Sequence, residues 1–304
     1  MDKVAVLLPC FNEATTIAKV VADFRMAVPE AVIYVYDNNS TDGTDELARQ
    51  AGAVVRYEHQ QGKGNVMRRM FREIDAECYV MCDGDDTYPA DKAPELIRQV
   101  MEQGADMAIG DRLSANYYTE NTRPMHNMGN NVVRMAVNLL FHNDIPDIMT
   151  GLRAFSYRFV KSFPVLSRGF EIETEMTIHA IDKNMRVAQV PIDTRSRPEG
   201  SFSKLNTVRD GLKILWTIFK LFKDDRPHVF FAILTGLMAM VSLILHLTCG
   251  GSIAAPAALL TVSLFACGVI LSSLRRQERR TFEWQLQRLE HTYKELLREA
   301  AEHE

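Results

Sequence analysis

Two apolar segments constrain this chain more than anything else in it. One runs from His228 to about Thr248 and the other from Ile253 to about Leu274, and neither contains Lys, Arg, Asp or Glu. Each is close to the roughly 20 residues that a membrane-spanning helix needs. With only Gly250 to Ser252 marked out as a turn between them, they read as a transmembrane hairpin; the alternative is a pair of buried core helices. Lys220, Lys223 and Arg226 precede the first segment, and Arg275, Arg276, Arg279 and Arg280 follow the second. The positive-inside tendency then places both flanks, and everything attached to them, in the cytoplasm. Met1 to Leu8 lacks a basic leader with a long apolar region, so the N-terminal part is expected to stay in the cytosol.

The rest of the chain has ordinary globular composition, with 47% hydrophobic and 24% charged residues. A net charge of -4 gives no global reason to expect nucleic acid as a partner. The five cysteines, Cys10, Cys78, Cys82, Cys249 and Cys267, are odd in number and lie in apolar runs without CxxC spacing. That fits a reduced compartment and packing, not zinc.

Along the first hundred residues, short β-type runs alternate with amphipathic stretches: Val4 to Leu8 then Ala14 to Ala27, Val32 to Tyr36 then Thr44 to Ala51, Ala53 to Tyr57 then Gly64 to Ile74. This βαβ rhythm predicts a parallel-rich α/β sheet. Tyr79 to Cys82 and Met107 to Ile109 extend it, with a helix over Glu95 to Gln103. In such sheets ligands bind beyond the carboxyl ends of the strands. Pro9 to Glu13, Asp37 to Gly43, Gln60 to Gly64 and Asp83 to Tyr88 all fall there. Leu113 to Asn131 reads as a loop, a candidate lid, leading into a helix near Val132 to Leu140. Leu205 to Phe222 is amphipathic and basic, suited to the membrane surface or to packing on the domain. A charged helix with Leu286, Leu289, Tyr293 and Leu296 or Leu297 on one side suits an oligomer contact. The expected organisation is a catalytic domain over 1–204, a juxtamembrane helix over 205–226, the hairpin over 227–274 and a cytoplasmic charged helix over 275–304.

Asp83-Gly84-Asp85-Asp86 follows an apolar strand. Two carboxylates one residue apart can hold a hard divalent cation, Mg2+ or Mn2+, and leave positions for phosphate oxygens; an acidic turn capping a helix has the same composition. Asp37 to Thr44 has the Asx and hydroxyl side chains of a tight turn, while Asp37 at the strand tip can accept a base imide or ribose hydroxyl proton. Lys63 between two glycines suits a phosphate or base carbonyl, or simply solvent.

Together these segments resemble family 2 glycosyltransferases. Pro9-Cys10-Phe11-Asn12-Glu13 is similar to the PxYNE start, Asp37 to Thr44 to the DDGSTDGT segment, and Asp83 to Asp85 to the DxD motif. Phe11 replaces the usual Tyr, and Asn38 replaces the second acid of the DD pair. The resemblance covers roughly residues 3 to 205, and the trailing hairpin makes it most similar to the dolichyl-phosphate mannosyltransferase and bacterial polyprenyl-phosphate glycosyltransferase branch. It implies a GT-A fold, Rossmann-like, followed by the hairpin and a C-terminal helix. By resemblance Pro9, Asn12, Glu13, Asp37, Lys63 and Asp83 line the nucleoside and diphosphate site, and Asp83 and Asp85 hold the metal. It also directs Arg112, Arg153, Arg195, Arg197, Ser203 and Lys204 to donor and acceptor phosphates; apart from the resemblance, Arg123 beside Pro124 in the candidate lid is a weaker candidate to close over the acceptor.

The donor it implies is a nucleotide sugar, UDP-linked in preference to GDP-linked, and the acceptor a polyprenyl phosphate. Glu171 and Glu173 are candidates for a general base if the acceptor is instead a hydroxyl, and both also suit the start of a helix. The residues expected to carry the chemistry are Asp85, Arg153 and Glu173.

Overall fold

Val4 to Leu8 are buried on both sides of the sheet, which is why the run is continuously apolar and does not alternate. They lie in β1 (Asp2–Cys10), the strand at which the fold divides. The computed structural model describes residues 1–114, 124–198, 204, 207–249 and 251–302. Its seven strands are β1, β2 (Ala31–Asp37), β3 (Val54–Tyr57), β4 (Ala76–Met81), β5 (Met107–Asp111), β6 (Arg153–Ser156) and β7 (Val187–Pro191), in the order β3-β2-β1-β4-β6-β5-β7. β2 and β4 both pair with β1 in parallel, Val6 standing opposite Ile33 on one side and Val80 on the other. β6 runs antiparallel to β4 and β5, and β7 is parallel to β5. This is the expected GT-A arrangement with one reversed strand.

Helices α1 (Ile17–Ala27), α2 (Thr44–Gln50), α3 (Lys63–Glu73) and α4 (Ala93–Met101) supply the crossovers. α1 buries Ile17, Val20, Val21 and Phe24, the i, i+3, i+4, i+7 stripe of a helix covering a sheet. Further along come α5 (Pro124–Phe141), α6 (Tyr157–Ser162) and α7 (Ile172–Asp182). α5 starts about two turns before the expected Val132, with a proline at its first position, where the missing N–H costs nothing. Arg123 and the rest of 115–123 lie outside the described residues.

α8 (Thr207–Asp225) leaves Val208, Leu212, Trp216 and Phe219 exposed along one stripe. α9 (Pro227–Cys249) and α10 (Gly251–Glu302) contain the two apolar segments, and Ile233, Leu237, Leu247, Leu259 and Phe265 face outward. Outward-facing apolar side chains along helices of this length are the opposite of a buried core pair, and both helices are candidate membrane spans. Within this second unit (218–285) Phe230 packs edge-on against Phe219 and Phe222, and Arg275 pairs with Asp225 at 2.5 Å.

α10 runs without a break from the second apolar segment through the charged segment beginning at residue 275, over 52 residues. In that charged segment Leu286 is buried, Tyr293 stacks on Tyr157 at 4.9 Å, and Glu290 lies 3.7 Å from Arg158.

Candidate active site

β1 sends its crossover to β2 on one side while β4 lies on the other, so a crevice opens at their carboxyl ends. Three loops are bound together over it. Asn12 N–H donates to Ser40 Oγ at 2.9 Å, Glu13 N–H to Thr44 Oγ1 at 2.8 Å, and Thr41 N–H to Asn12 Oδ1 at 2.8 Å. Thr16 Oγ1 donates to the Gly84 carbonyl at 2.6 Å, which joins the first loop to the acidic one. Asn12, Asn39 and Asp86 adopt left-handed backbone (φ 53°, 68° and 57°), one in each loop, and non-glycine residues hold that conformation only where surrounding bonds enforce it.

Asn38 explains its departure from the acidic pair. Its amide donates to the carbonyls of Glu58 and Gln60 at 2.6 and 2.9 Å and accepts from Gly62 N–H at 2.7 Å. A carboxylate could make only the last bond. The loop thus fixed delivers Lys63, whose side chain is only 8% exposed and bonds both Asp83 and Glu173, the latter at 2.6 Å. Burial alone would lower the Lys63 ammonium, but the two carboxylates more than reverse that and hold it charged. Burial also raises Glu173, with Lys63 opposing. Gly151 lies against Asp83, where any Cβ would overlap Oδ2.

Asp85 Oδ1 accepts from Thr87 N–H at 3.2 Å and Thr87 Oγ1 at 2.6 Å, and its Oδ2 lies 2.5 Å from Arg197 Nη2. Asp86 pairs with Lys19 at 2.9 Å and Arg195 at 3.3 Å. Lys204 Nζ reaches Glu13 Oε1 at 2.5 Å and the Asn12 carbonyl at 2.9 Å. Burial pushes the Glu13 carboxyl up to about 7 although Lys204 opposes it. Glu13 Oε2 and Asp37 Oδ2 are buried without partners, two acceptor atoms left open at one crevice.

Asn12, Glu13, Asp37, Lys63, Asp83, Asp85, Arg197 and Lys204 therefore come together, with Pro9 just below them in β1 opposite Tyr36. Arg195 is held on Asp86 and Asp23 at the side. Two arginines depart from their expected roles. Arg153 has no exposed surface: its guanidinium donates to the carbonyls of Ile148 and Thr150 and to Thr177 Oγ1, and burial lowers its pKa. It fastens the 148–150 turn from within and presents no edge to a phosphate. Arg112 is spent as a fork on Asp147, at 2.7 and 2.9 Å, with a further bond to Tyr88 Oη. Glu171 accepts from the N–H groups of Arg168 and Gly169 in the loop that precedes α7. Ser203, with the rest of 199–203, lies outside the described residues.

Tyr88, Asp147, Thr16 and Thr87 were not singled out from the sequence. Hydroxyls and a lone Asp in loops carry no periodic signal; Thr87 and Tyr88 adjoin the acidic segment in sequence, whereas only the fold brings Thr16 and Asp147 to it.

Among the described residues no group of three or more His, Cys, Asp or Glu forms a closed metal cage. Two hard carboxylates on the Asp83 to Asp85 turn fit a different kind of site, in which a Mg2+ or Mn2+ ion completes its shell with ligand oxygens and water.

Residues 5–163 match the family described as Glycosyl transferase family 2. Glycosyltransferase AglJ of Haloferax volcanii is 36% identical over 231 residues, covering 76% of this chain and 75% of that protein. A dolichyl-phosphate hexose transferase of the same organism is 27% identical, covering 74% of this chain and 96% of its own. Among solved structures, glucosyl-3-phosphoglycerate synthase of Mycobacterium tuberculosis in complex with UDP superposes with a TM-score of 0.60 at 20% identity, covering 73% of this chain and 80% of that one. The motifs, the sheet order, the crevice and these likenesses agree: the chain belongs to glycosyl transferase family 2 and is a glycosyltransferase.

Proposed function

We propose that this enzyme transfers a hexose from a nucleotide diphosphate sugar, UDP-linked, to a polyprenyl phosphate at the cytoplasmic face of a membrane, with inversion. The observation that carries the reading is the placing of Lys63 on Asp83, Arg197 on Asp85 and Lys204 on Glu13 while both candidate bases are committed elsewhere, Glu173 to Lys63 and Glu171 to backbone N–H groups. Support for the acceptor comes from the dolichyl-phosphate hexose transferase and from a dolichol-phosphate mannosyltransferase of Pyrococcus furiosus, 28% identical over 231 residues. Support for the donor comes from the UDP complexes of the structural neighbour, several of which also hold Mn2+.

A phosphate monoester has a second pKa near 6 and reaches the site largely ionised, so it needs placement more than a base. In the proposed reaction an acceptor phosphate oxygen bonds to the anomeric carbon as the bond from that carbon to the nucleotide diphosphate breaks. Asp83 and Asp85 would hold a divalent cation, which supplies charge to offset that of the leaving diphosphate. Asp37 and Glu13 offer unpaired acceptor oxygens to the nucleoside. Lys63 has spent two of its three N–H donors on carboxylates and keeps one for a phosphate or base carbonyl. In this reading the two apolar helices anchor the chain in the membrane where a lipid phosphate presents its head group, and the basic residues flanking them favour the cytoplasmic side.

The test is nucleotide release by detergent-solubilised protein over a panel of UDP- and GDP-sugars, with Mg2+ or Mn2+, with and without polyprenyl phosphate. Release that requires the lipid phosphate, the metal and Asp85 is expected, with an acid-labile sugar phosphodiester as product. Release that proceeds only with a glycan hydroxyl acceptor would refute the acceptor assignment.

A further inference from the structure

The chain sets a cation of its own on each carboxylate of the pair, Lys63 on Asp83 and Arg197 on Asp85. Arg197 Nη2 lies 2.5 Å from Asp85 Oδ2, while the other oxygen of Asp85 is taken by Thr87, so both oxygens of this nearly buried carboxylate are engaged. The arginine is badly served in return, because its second terminal nitrogen, Nη1, is buried with no hydrogen-bond partner. A guanidinium fork binds a phosphate through both nitrogens, so the grip on Asp85 uses half of what the group can make. Its neighbours repeat the pattern, Arg195 lying on Asp86 and Lys204 on Glu13.

We propose that Arg197 is a counter-ion holding the place of the divalent cation: it neutralises Asp85 until the cation binds there, and then closes its whole fork on the donor diphosphate. This rests on the reading that Asp83 and Asp85 hold the metal. Because Arg197 must be displaced, metal alone binds weakly; because the diphosphate rewards the displaced arginine, metal and nucleotide each strengthen the other, and by linkage they do so equally.

The experiment titrates Mn2+ into the full chain in detergent and reads free Mn2+ by electron paramagnetic resonance, with and without UDP. Arg197→Gln is expected to bind Mn2+ alone about tenfold more tightly than the wild type, and to lose most of the tightening that UDP produces, a change within the usual range of coupling between sites. Unchanged or weaker Mn2+ binding by Arg197→Gln overturns the proposal. Asp85→Ala separates the two levels: if it leaves Mn2+ affinity intact, the metal assignment itself fails, whereas lost binding upholds that assignment and the Arg197→Gln titration alone then decides the displacement. Amide exchange of wild-type residues 194–198 needs no variant. Faster exchange on adding Mn2+ alone is expected, and unchanged or slower exchange overturns the displacement.

Discussion

Glu13 gives the cleft a pH dependence that a single substitution should remove. Its side chain is 7% exposed, one oxygen bonds Lys204 at 2.5 Å, and the other has no partner. Burial therefore raises the carboxyl from 4.5 to about 7. A group whose pKa is higher in the folded state than in the unfolded one favours folding while protonated. Its contribution is fully present below about 4.5 and is lost as pH rises through about 7. At 1.36 kcal/mol per pH unit the interval corresponds to about 3 kcal/mol, and water in an open crevice reduces it to about 2 kcal/mol. For a domain of this size 1 kcal/mol moves the melting midpoint by about 2–4 °C, so the expected effect is about 4–8 °C. Glu13→Gln keeps an oxygen for Lys204 but does not titrate. In metal-free buffer the wild-type midpoint should fall by that amount relative to Glu13→Gln between pH 5 and pH 8.5. Parallel profiles, within about 1 °C across the range, would refute the argument that an unsatisfied buried carboxyl sits in this cleft.

Lys63→Met leaves Asp83 and the buried Glu173 without their shared cation, a loss expected to cost about 3–5 kcal/mol. Adding Glu173→Gln should recover part of it in a double-mutant cycle read by thermal unfolding; a single variant within about 1 kcal/mol of wild type would contradict the pairing. Gly151→Ala places a methyl group into Asp83 Oδ2 and within 3.1 Å of the Tyr88 ring. Turnover should fall about 100-fold through the displaced carboxylate while the melting midpoint moves little, and turnover within threefold of wild type would show that Asp83 can shift at no cost.

The sheet was legible because its strands carry the signal that burial imposes: Val4 to Leu8, Val32 to Tyr36 and Tyr79 to Cys82 are apolar where helices cover both faces. The acidic turn and the two glycine-flanked loops were legible for a related reason, since polar residues directly after an apolar strand of an open sheet fall at the edge where ligands bind. Arginine was not. A guanidinium beside Gly-Leu reads identically whether it faces a phosphate or, like Arg153, fastens a turn from inside the protein, because its partners are backbone carbonyls with no sequence identity. Asp147, which occupies Arg112, lies 35 residues away in a loop, and only the fold brings the two together. α10 continues past the apolar segment because a change from apolar to charged composition marks a change of solvent, not an end of helix; the segment after Arg275 contains neither Pro nor Gly to stop it.

The occupied carboxylates bear directly on the choice of acceptor. A hydroxyl nucleophile needs a carboxylate base, and Glu173 is the better placed of the two candidates because it shares Lys63 with Asp83. To act as a base it must give up Lys63, stranding a buried charge at a cost of about 3–5 kcal/mol, or about 200- to 4,000-fold in rate, before any chemistry begins. A phosphate brings its own negative oxygen and demands cations in place of a base. Lys204 and the spare donor of Lys63 answer that demand with groups already in the cleft. The same ion pair that would obstruct a hydroxyl acceptor keeps Lys63 charged and in place for a phosphate, which supports the phosphate acceptor proposed above.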